Sequence, residues 1–353
     1  MPRARSMLGT MSSRTRPGGG TDPAAGTVQQ GNTRGPIGPG SVWEGTGTRD
    51  LGAPSVLEGN ARGQSGAPAV PVGNEPAETA ATQLHATVLA VRGQSVERRA
   101  DRLVGEEPLE IRVRGLGQEA VDVAVTMRTP GGEEELAVGF LVTEGLIEAA
   151  WVAGFAWGDA SQMARPDNEI TVQLIRAFDS SVVPDRSFVA TASCGICGKA
   201  SIDDVAMRCE VLPQGPTLPR SVLLSLPGAM REAQHVFAST GGLHAAALFT
   251  PRGDLVALRE DIGRHNALDK VIGAAARAGE LPLHDRVLLV SGRVSFEITQ
   301  KAAMAGVPIL AAVSAPSDLA VATAARLNMT LIGFLRVDGF NVYAGEDRLD
   351  LDA

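Results

Sequence analysis

The stretch RVLLVSGRVSFEITQKAAMAGVPILAAVSAPSDLAVATAARLNMTLIGFL, from Arg286 to Leu335, carries the reading of the fold. It divides into strand, helix, strand, helix and strand: Arg286 to Val290, Ser295 to Ala305, Val307 to Val313, Ser317 to Leu327 and Thr330 to Leu335. Strands and helices that alternate with short links predict a parallel or mixed sheet covered by helices. Ligands of such sheets lie beyond the carboxyl ends of the strands. That rule selects Ser291 to Arg293, Ser314, and the segment Phe334, Leu335, Arg336, Val337, Asp338 and Gly339.

Upstream, Ser221 to Phe237 has a helical pattern that Pro227 is expected to bend or break. Thr240-Gly241-Gly242-Leu243-His244 is a turn into a buried strand, Ala245 to Phe249. Pro251-Arg252-Gly253-Asp254 is a hairpin turn into Leu255 to Leu258. Asp261 to Asn266 leads into a helix over Ala267 to Ala278, which Gly279 stops. Earlier still, β-like runs cover Leu84 to Val91, Leu109 to Val113, Val121 to Met127, Val152 to Trp157 and Ile170 to Ile175. Among them Glu133-Glu134-Glu135 opens a helix, its acids at the positive end of the helix dipole. The expected organisation is a tail over residues 1–80, a mainly β lobe with one helix over 81–190, and an α/β domain over 191–353 with a cysteine loop at its start.

The tail holds 16 Gly and 9 Pro with one Trp and no Phe, Tyr or Lys. That composition buries too little apolar surface to offset chain entropy, so no packed core and no chemistry is expected there. For the whole chain of 353 residues, aromatic content is only 4%, so the core is built from Ala, Val, Leu and Ile. A net charge of −8 argues against a general nucleic-acid surface. No apolar run reaches the roughly 18 residues of a membrane span. Three cysteines without framework spacing point to a reducing compartment, hence the cytoplasm.

Two of those cysteines sit in Ser193-Cys194-Gly195-Ile196-Cys197-Gly198-Lys199. An apolar run precedes the pair and a helical pattern follows, so it reads as a loop between a strand end and a helix start. Unpaired N–H groups, the helix dipole and Lys199 all favour a thiolate there. Gly195 and Gly198 let another molecule approach the sulfurs. Four readings stay open: thiol or persulfide chemistry at an open site, a structural zinc site, a thioredoxin-like redox pair, and two buried cysteines with no joint role. Zinc needs four ligands, and only Cys209 remains.

A second polar constellation is Arg264, His265, Asn266, Asp269 and Lys270, with Gly242 and His244 close in sequence to its strand. It reads as a pocket for a phosphate-bearing ligand or, failing that, as a capped helix with solvated charges. Ser291 joins it as the first residue after a strand. His85 and His284 read as surface residues. No dinucleotide fingerprint or complete phosphate loop occurs: Gly198-Lys199 lacks the earlier glycine and the Ser or Thr directly after Lys199.

Several of these strings together resemble the FdhD family of formate dehydrogenase accessory sulfurtransferases. They are Arg128-Thr-Pro-Gly131, Glu144-Gly145, Cys194-Gly-Ile-Cys197-Gly-Lys199, Thr240-Gly-Gly-Leu-His244, Asp261-Ile-Gly-Arg-His-Asn-Ala-Leu-Asp-Lys270 and Lys301-Ala-Ala303. The resemblance runs from about Leu84 to the C-terminus. It implies a cytidine-deaminase-like fold, although His-x-Glu is absent and Ser193 stands where a zinc deaminase has Pro, so no metal site is implied. It implies a sulfurtransferase that accepts persulfide sulfur from a cysteine desulfurase. The sulfur goes to the molybdenum (or tungsten) bis-molybdopterin guanine dinucleotide cofactor of the formate dehydrogenase catalytic subunit. Cys194 would carry the persulfide and Cys197 assist. The cofactor would lie against Arg264, His265, Asn266 and Phe334 to Gly339, and the protein would be a homodimer. Two alternatives are a cofactor-binding chaperone that transfers no sulfur, and a dithiol oxidoreductase.

Overall fold

The computed structural model describes residues 83–183 and 209–352. Cys194, Cys197 and Lys199 lie outside the described residues, as does the tail over 1–80.

The central layer is a six-stranded mixed sheet. Its strands are β8 (His244–Phe249), β9 (Leu255–Asp261), β10 (Val287–Val290), β11 (Ile309–Ala312), β12 (Thr330–Gly333) and β13 (Asn341–Ala344), in spatial order 13-12-11-10-8-9. The neighbours β10, β11 and β12 run parallel, and the β8, β9 and β13 pairings are antiparallel. Side chains alternate between two cores. On one face Ala246, Leu248, Leu288, Val290, Leu310 and Ala312 meet helices α4 (Arg264–Arg277), α5 (Phe296–Met304) and α6 (Asp318–Arg326). On the other, Ala247, Phe249, Leu289, Ile309 and Ile332 meet Leu223, Leu226 and Met230 of α2 (Arg220–Ala233). Burial on both faces is why these strands read as continuous apolar runs.

A second, four-stranded sheet comprises β3 (Glu107–Arg114), β4 (Val121–Arg128), β5 (Val152–Trp157) and β6 (Glu169–Leu174), in order 4-3-6-5. Helix α1 (Glu133–Thr143) covers it with Leu136, Ala137, Val138 and Leu141. The other side of α1 lies on α4, so α4 is packed between the two sheets' cores. Ahead of this sheet, β1 (Gln83–Arg92) and β2 (Ser95–Val104) form an antiparallel ribbon, and the short strands β7 (Leu218–Pro219) and β14 (Leu349–Asp350) pair in parallel.

The structure departs from the sequence reading in three places. Arg264, His265 and Asn266 form the first turn of α4 after the N-cap Gly263, rather than a loop ahead of it. Pro227 lies inside α2, and the break falls instead at Gln234, before α3 (His235–Thr240). Asp269 and Lys270, solvated if the helix were merely capped, are 1% and 0% exposed.

Candidate functional site

The carboxyl ends of β10 and β12 and the turn into β8 meet α2 and α3 around a cleft of about 700 Å³. Six sequence-selected residues line it: Gly242, His244, Ser291, Leu335, Arg336 and Val337. Segments some 50 and 90 residues apart thus converge because β8 and β10 are neighbours in the sheet and only β11 separates β10 from β12.

Each is fixed by its element. Ser291 N–H donates to the Ala245 carbonyl, and its hydroxyl oxygen accepts from Ala245 N–H at 2.9 Å, which locks the end of β10 against β8. Gly241, in the left-handed region at φ 69°, ends α3 and turns the chain so that Gly242 is exposed at the rim. Arg336 donates to the Leu335 carbonyl at 2.9 Å and to the Val313 carbonyl. Its own N–H donates to Gly339 at 2.8 Å, which closes the segment into a tight loop. Phe334 enters that loop at φ 54°, a conformation costly for a bulky side chain, with its ring half exposed. Phe334, Asp338 and Gly339 belong to this loop without lining the cleft.

Arg264 does not itself line the cleft but lies close to His244, which does. A Cβ added to Gly292 would lie 3.4 Å from His244 Nδ1 and 3.5 Å from Arg264 Cδ, ordinary contact distances that place both groups around Gly292. Arg264 Nε is buried and has no hydrogen-bond partner among the described residues. Burial, then the Arg264 charge, hold His244 below the usual imidazole range, with Asp261 opposing and Arg293 adding to the effect. The Arg264 guanidinium beside His244 is a charged donor of the kind that suits an anionic ligand oxygen.

His265 and Asn266 do not line the cleft. His265 Nε2 is 3.5 Å from Ser295 Oγ and 3.9 Å from Glu297 Oε2. Burial first, then Arg264 and Lys301, push it down to about 4, so it is neutral at pH 7. Asn266 donates to the Met127 carbonyl at 2.7 Å and to Asp261 at 3.1 Å, and accepts from Thr126 at 3.2 Å. It pins the Gly263 turn to β4. Asp261 also accepts from the Thr129 and Gly263 N–H groups and pairs with Lys270 at 2.8 Å. Lys301 pairs with Asp269 at 3.0 Å and Glu144 at 2.8 Å, beside Thr143. The motifs around Arg128, Asp261 and Lys301 thus tie the smaller sheet to α4 and set the floor behind Arg264.

Sequence reasoning missed the opposite wall: Met230, Arg231, Gln234 and Phe237. The only available signal was a polar Gln amid an amphipathic helical run. His85 and His284 are exposed, as expected. Among the described residues no cluster of His, Cys, Asp or Glu is arranged to hold a metal ion, and no helix is long and apolar enough to cross a membrane.

Fold and cleft define a mixed α/β protein with a cleft at the carboxyl edge of its central sheet. The model of the FdhD/NarQ family matches residues 104–350, and the chain belongs to that family. The sulfur carrier protein FdhD of Streptomyces avermitilis is 50% identical over 274 residues, covering 75% of this chain and 95% of that one. The protein of the same name from Mycobacterium tuberculosis is 46% identical over 274 residues, covering 75% and 98%. That of Picrophilus torridus is 40% identical over 250 residues, covering 70% and 92%. A crystal structure described as a formate dehydrogenase accessory protein, from Desulfotalea psychrophila, matches with a TM-score of 0.59 at 21% identity, over 76% of this chain and all of that one. At that identity the match speaks for the fold.

Proposed function

We propose that this protein is a sulfur carrier that matures a formate dehydrogenase. It would take persulfide sulfur from a cysteine desulfurase and pass it to the enzyme's molybdenum (or tungsten) bis-molybdopterin guanine dinucleotide. The observation that carries this reading is the 50% identity, over 75% of the chain, to a protein named for sulfur carriage. The cleft supports it: Arg231 and Arg336 in an otherwise largely apolar lining suit a phosphate-bearing heterocycle. The mixed sheet with helices on both faces supports a cytidine-deaminase-like architecture.

In the first step the Cys194 thiolate attacks the outer sulfur of the donor persulfide. A new S–S bond forms, the donor's S–S bond breaks, and the donor cysteine leaves as thiolate. Release as sulfide needs two electrons. Cys197 supplies them by attacking the inner sulfur of Cys194, forming a Cys194–Cys197 disulfide as the outer sulfur departs to the metal substrate. The work would be done in the cytoplasm by a homodimer, whose symmetry could match the two guanine arms. The β1–β2 ribbon supports a second copy, because it leaves Leu89, Val91 and Val96 more than half exposed.

Intact-mass measurement after incubation with a cysteine desulfurase and cysteine tests the reading. One added sulfur, localised to Cys194, is the expected result. A protein that never gains sulfur, yet still restores formate dehydrogenase, would be a cofactor chaperone instead.

A further inference from the structure

We propose that Gln234 is the specificity-determining residue of the cleft, reading the edge of a flat nitrogen heterocycle that lies against Arg231 and Phe237. The inference rests on the reading above for the ligand's class and goes beyond it in naming how the ring is recognised.

Gln234 is only 4% exposed, yet it lines the cleft. Its backbone is satisfied: the N–H donates to Arg231 at 3.3 Å, and the carbonyl accepts from Ala238 at 3.0 Å. Its side-chain amide makes no hydrogen bond to another described residue. It offers two donors beside an acceptor. That pattern complements a ring edge on which N–H and C=O are adjacent, as in guanine or a pterin.

The position is built rather than incidental. Gln234 is the break between α2 and α3, with φ −81° and ψ 76°. The carboxylate of Glu260, itself 4% exposed, accepts from the next two N–H groups, Val236 at 2.9 Å and Phe237 at 2.8 Å. This pins the residues on either side of the amide. The Arg231 guanidinium stands 4.4 Å from the Phe237 ring centroid, a stacked plane beside the amide. Met230, Leu243 and Val313 supply apolar surface around it, which strengthens a hydrogen bond made there.

The test is calorimetric titration of the full chain with GDP, ADP and 6-hydroxymethylpterin, for the unsubstituted protein, Gln234→Leu and Gln234→Glu. The Glu variant keeps the shape and guards against loss of fold, which thermal melting checks in both. The expected result is binding of GDP or the pterin, weakened at least tenfold by Gln234→Leu. The carboxylate in Gln234→Glu can accept from the ring N–H and the neighbouring amino group, so that variant retains more affinity than Gln234→Leu and discriminates further against ADP. Binding of the pterin alone assigns the slot to the pterin end of the same ligand class. Unchanged affinity in both variants, or no binding of either lactam by the unsubstituted protein, overturns the proposal. Persulfide loading of the unsubstituted protein in the same preparation reports on sulfur carriage separately, so the two readings fail distinguishably.

Discussion

Gly139 of α1 and Gly273 of α4 meet backbone to backbone. A Cβ added to Gly139 would lie 1.8 Å from the Asp269 carbonyl oxygen, and one added to Gly273 would lie 1.8 Å from the Glu135 carbonyl oxygen. Neither partner is a flexible side-chain end, so the helices would have to separate. Because α1 belongs to the smaller sheet and α4 to the larger, this crossing sets how closely the two sheets approach. Gly139→Ala is expected to cost on the order of 3 kcal/mol or more. Gly228, also helical, has nothing within 4 Å of its would-be Cβ. Gly228→Ala should therefore be neutral or stabilise by about 0.5–1 kcal/mol. Denaturant midpoints compare the two, and equal effects would show that the crossing tolerates a methyl group.

His265 predicts an acid-sensitive contribution to stability. Its folded value of about 4 is below the ordinary 6.5, through burial and then Arg264 and Lys301. As pH falls through 6.5 the unfolded chain takes a proton that folded His265 refuses, so stability present at pH 7 is lost on the way down towards pH 4. Asp269 acts in the opposite sense: burial raises its carboxyl to about 6, so the folded state takes its proton first and gains stability between pH 6 and 4. Glu144 and Glu297 offset part of the charge around His265, while Arg264 and Lys301 add to it. Comparing the native chain with His265→Gln isolates the histidine. The native chain should lose on the order of 2 kcal/mol relative to the variant between pH 7 and 4.5. Parallel stability curves would show that His265 titrates normally.

The central sheet was legible because burial on both faces leaves continuous apolar runs, as in Val287–Val290 and Ile309–Ala312. Strand β2 was not, because Ser95–Val104 reads SVERRADRLV and most of its residues are exposed. The site was legible where strand ends point to it, at Ser291 and Arg336. It was illegible where a helix break makes it, since Gln234 carries no turn signature and Pro227 drew the break seven residues too early. The pairing of Asp269 with Lys301 joins α4 to α5, and only the folded chain brings residues 32 positions apart within 3.0 Å.

Arg264, beside His244, offers a direct test of the proposed site. Its buried Nε has no partner among the described residues, so removing the side chain orphans none of the acceptors described here. Arg264→Ala should leave thermal stability near that of the native chain while weakening GDP roughly tenfold to a hundredfold, or about 1–3 kcal/mol, as for a lost charged hydrogen bond. Calorimetry reads both sides of the claim. Unchanged GDP affinity would remove Arg264 from the site, and a large fall in melting temperature would make it a structural residue.

The three cysteines predict a graded outcome. Cys194 and Cys197 share a glycine-rich stretch of sequence with Lys199, and a nearby positive charge lowers a thiol below its free value of about 8.5. Cys194 comes first, farther from the expected helix body, so it is the freer to meet a donor persulfide and then the metal substrate. Cys209 is buried in the core that the central sheet shares with α4, α5 and α6. Cys194→Ala should therefore abolish sulfuration of the dehydrogenase cofactor, Cys197→Ala should impair it, and Cys209→Ala should leave it near normal. Formate dehydrogenase activity in cells lacking the native factor gives the readout, with intact mass reporting sulfur on the carrier. If Cys197 acts by forming a disulfide, Cys197→Ala should accumulate the Cys194 persulfide instead of losing it. Full activity with Cys194→Ala would sink the carrier mechanism and leave cofactor holding as the protein's role.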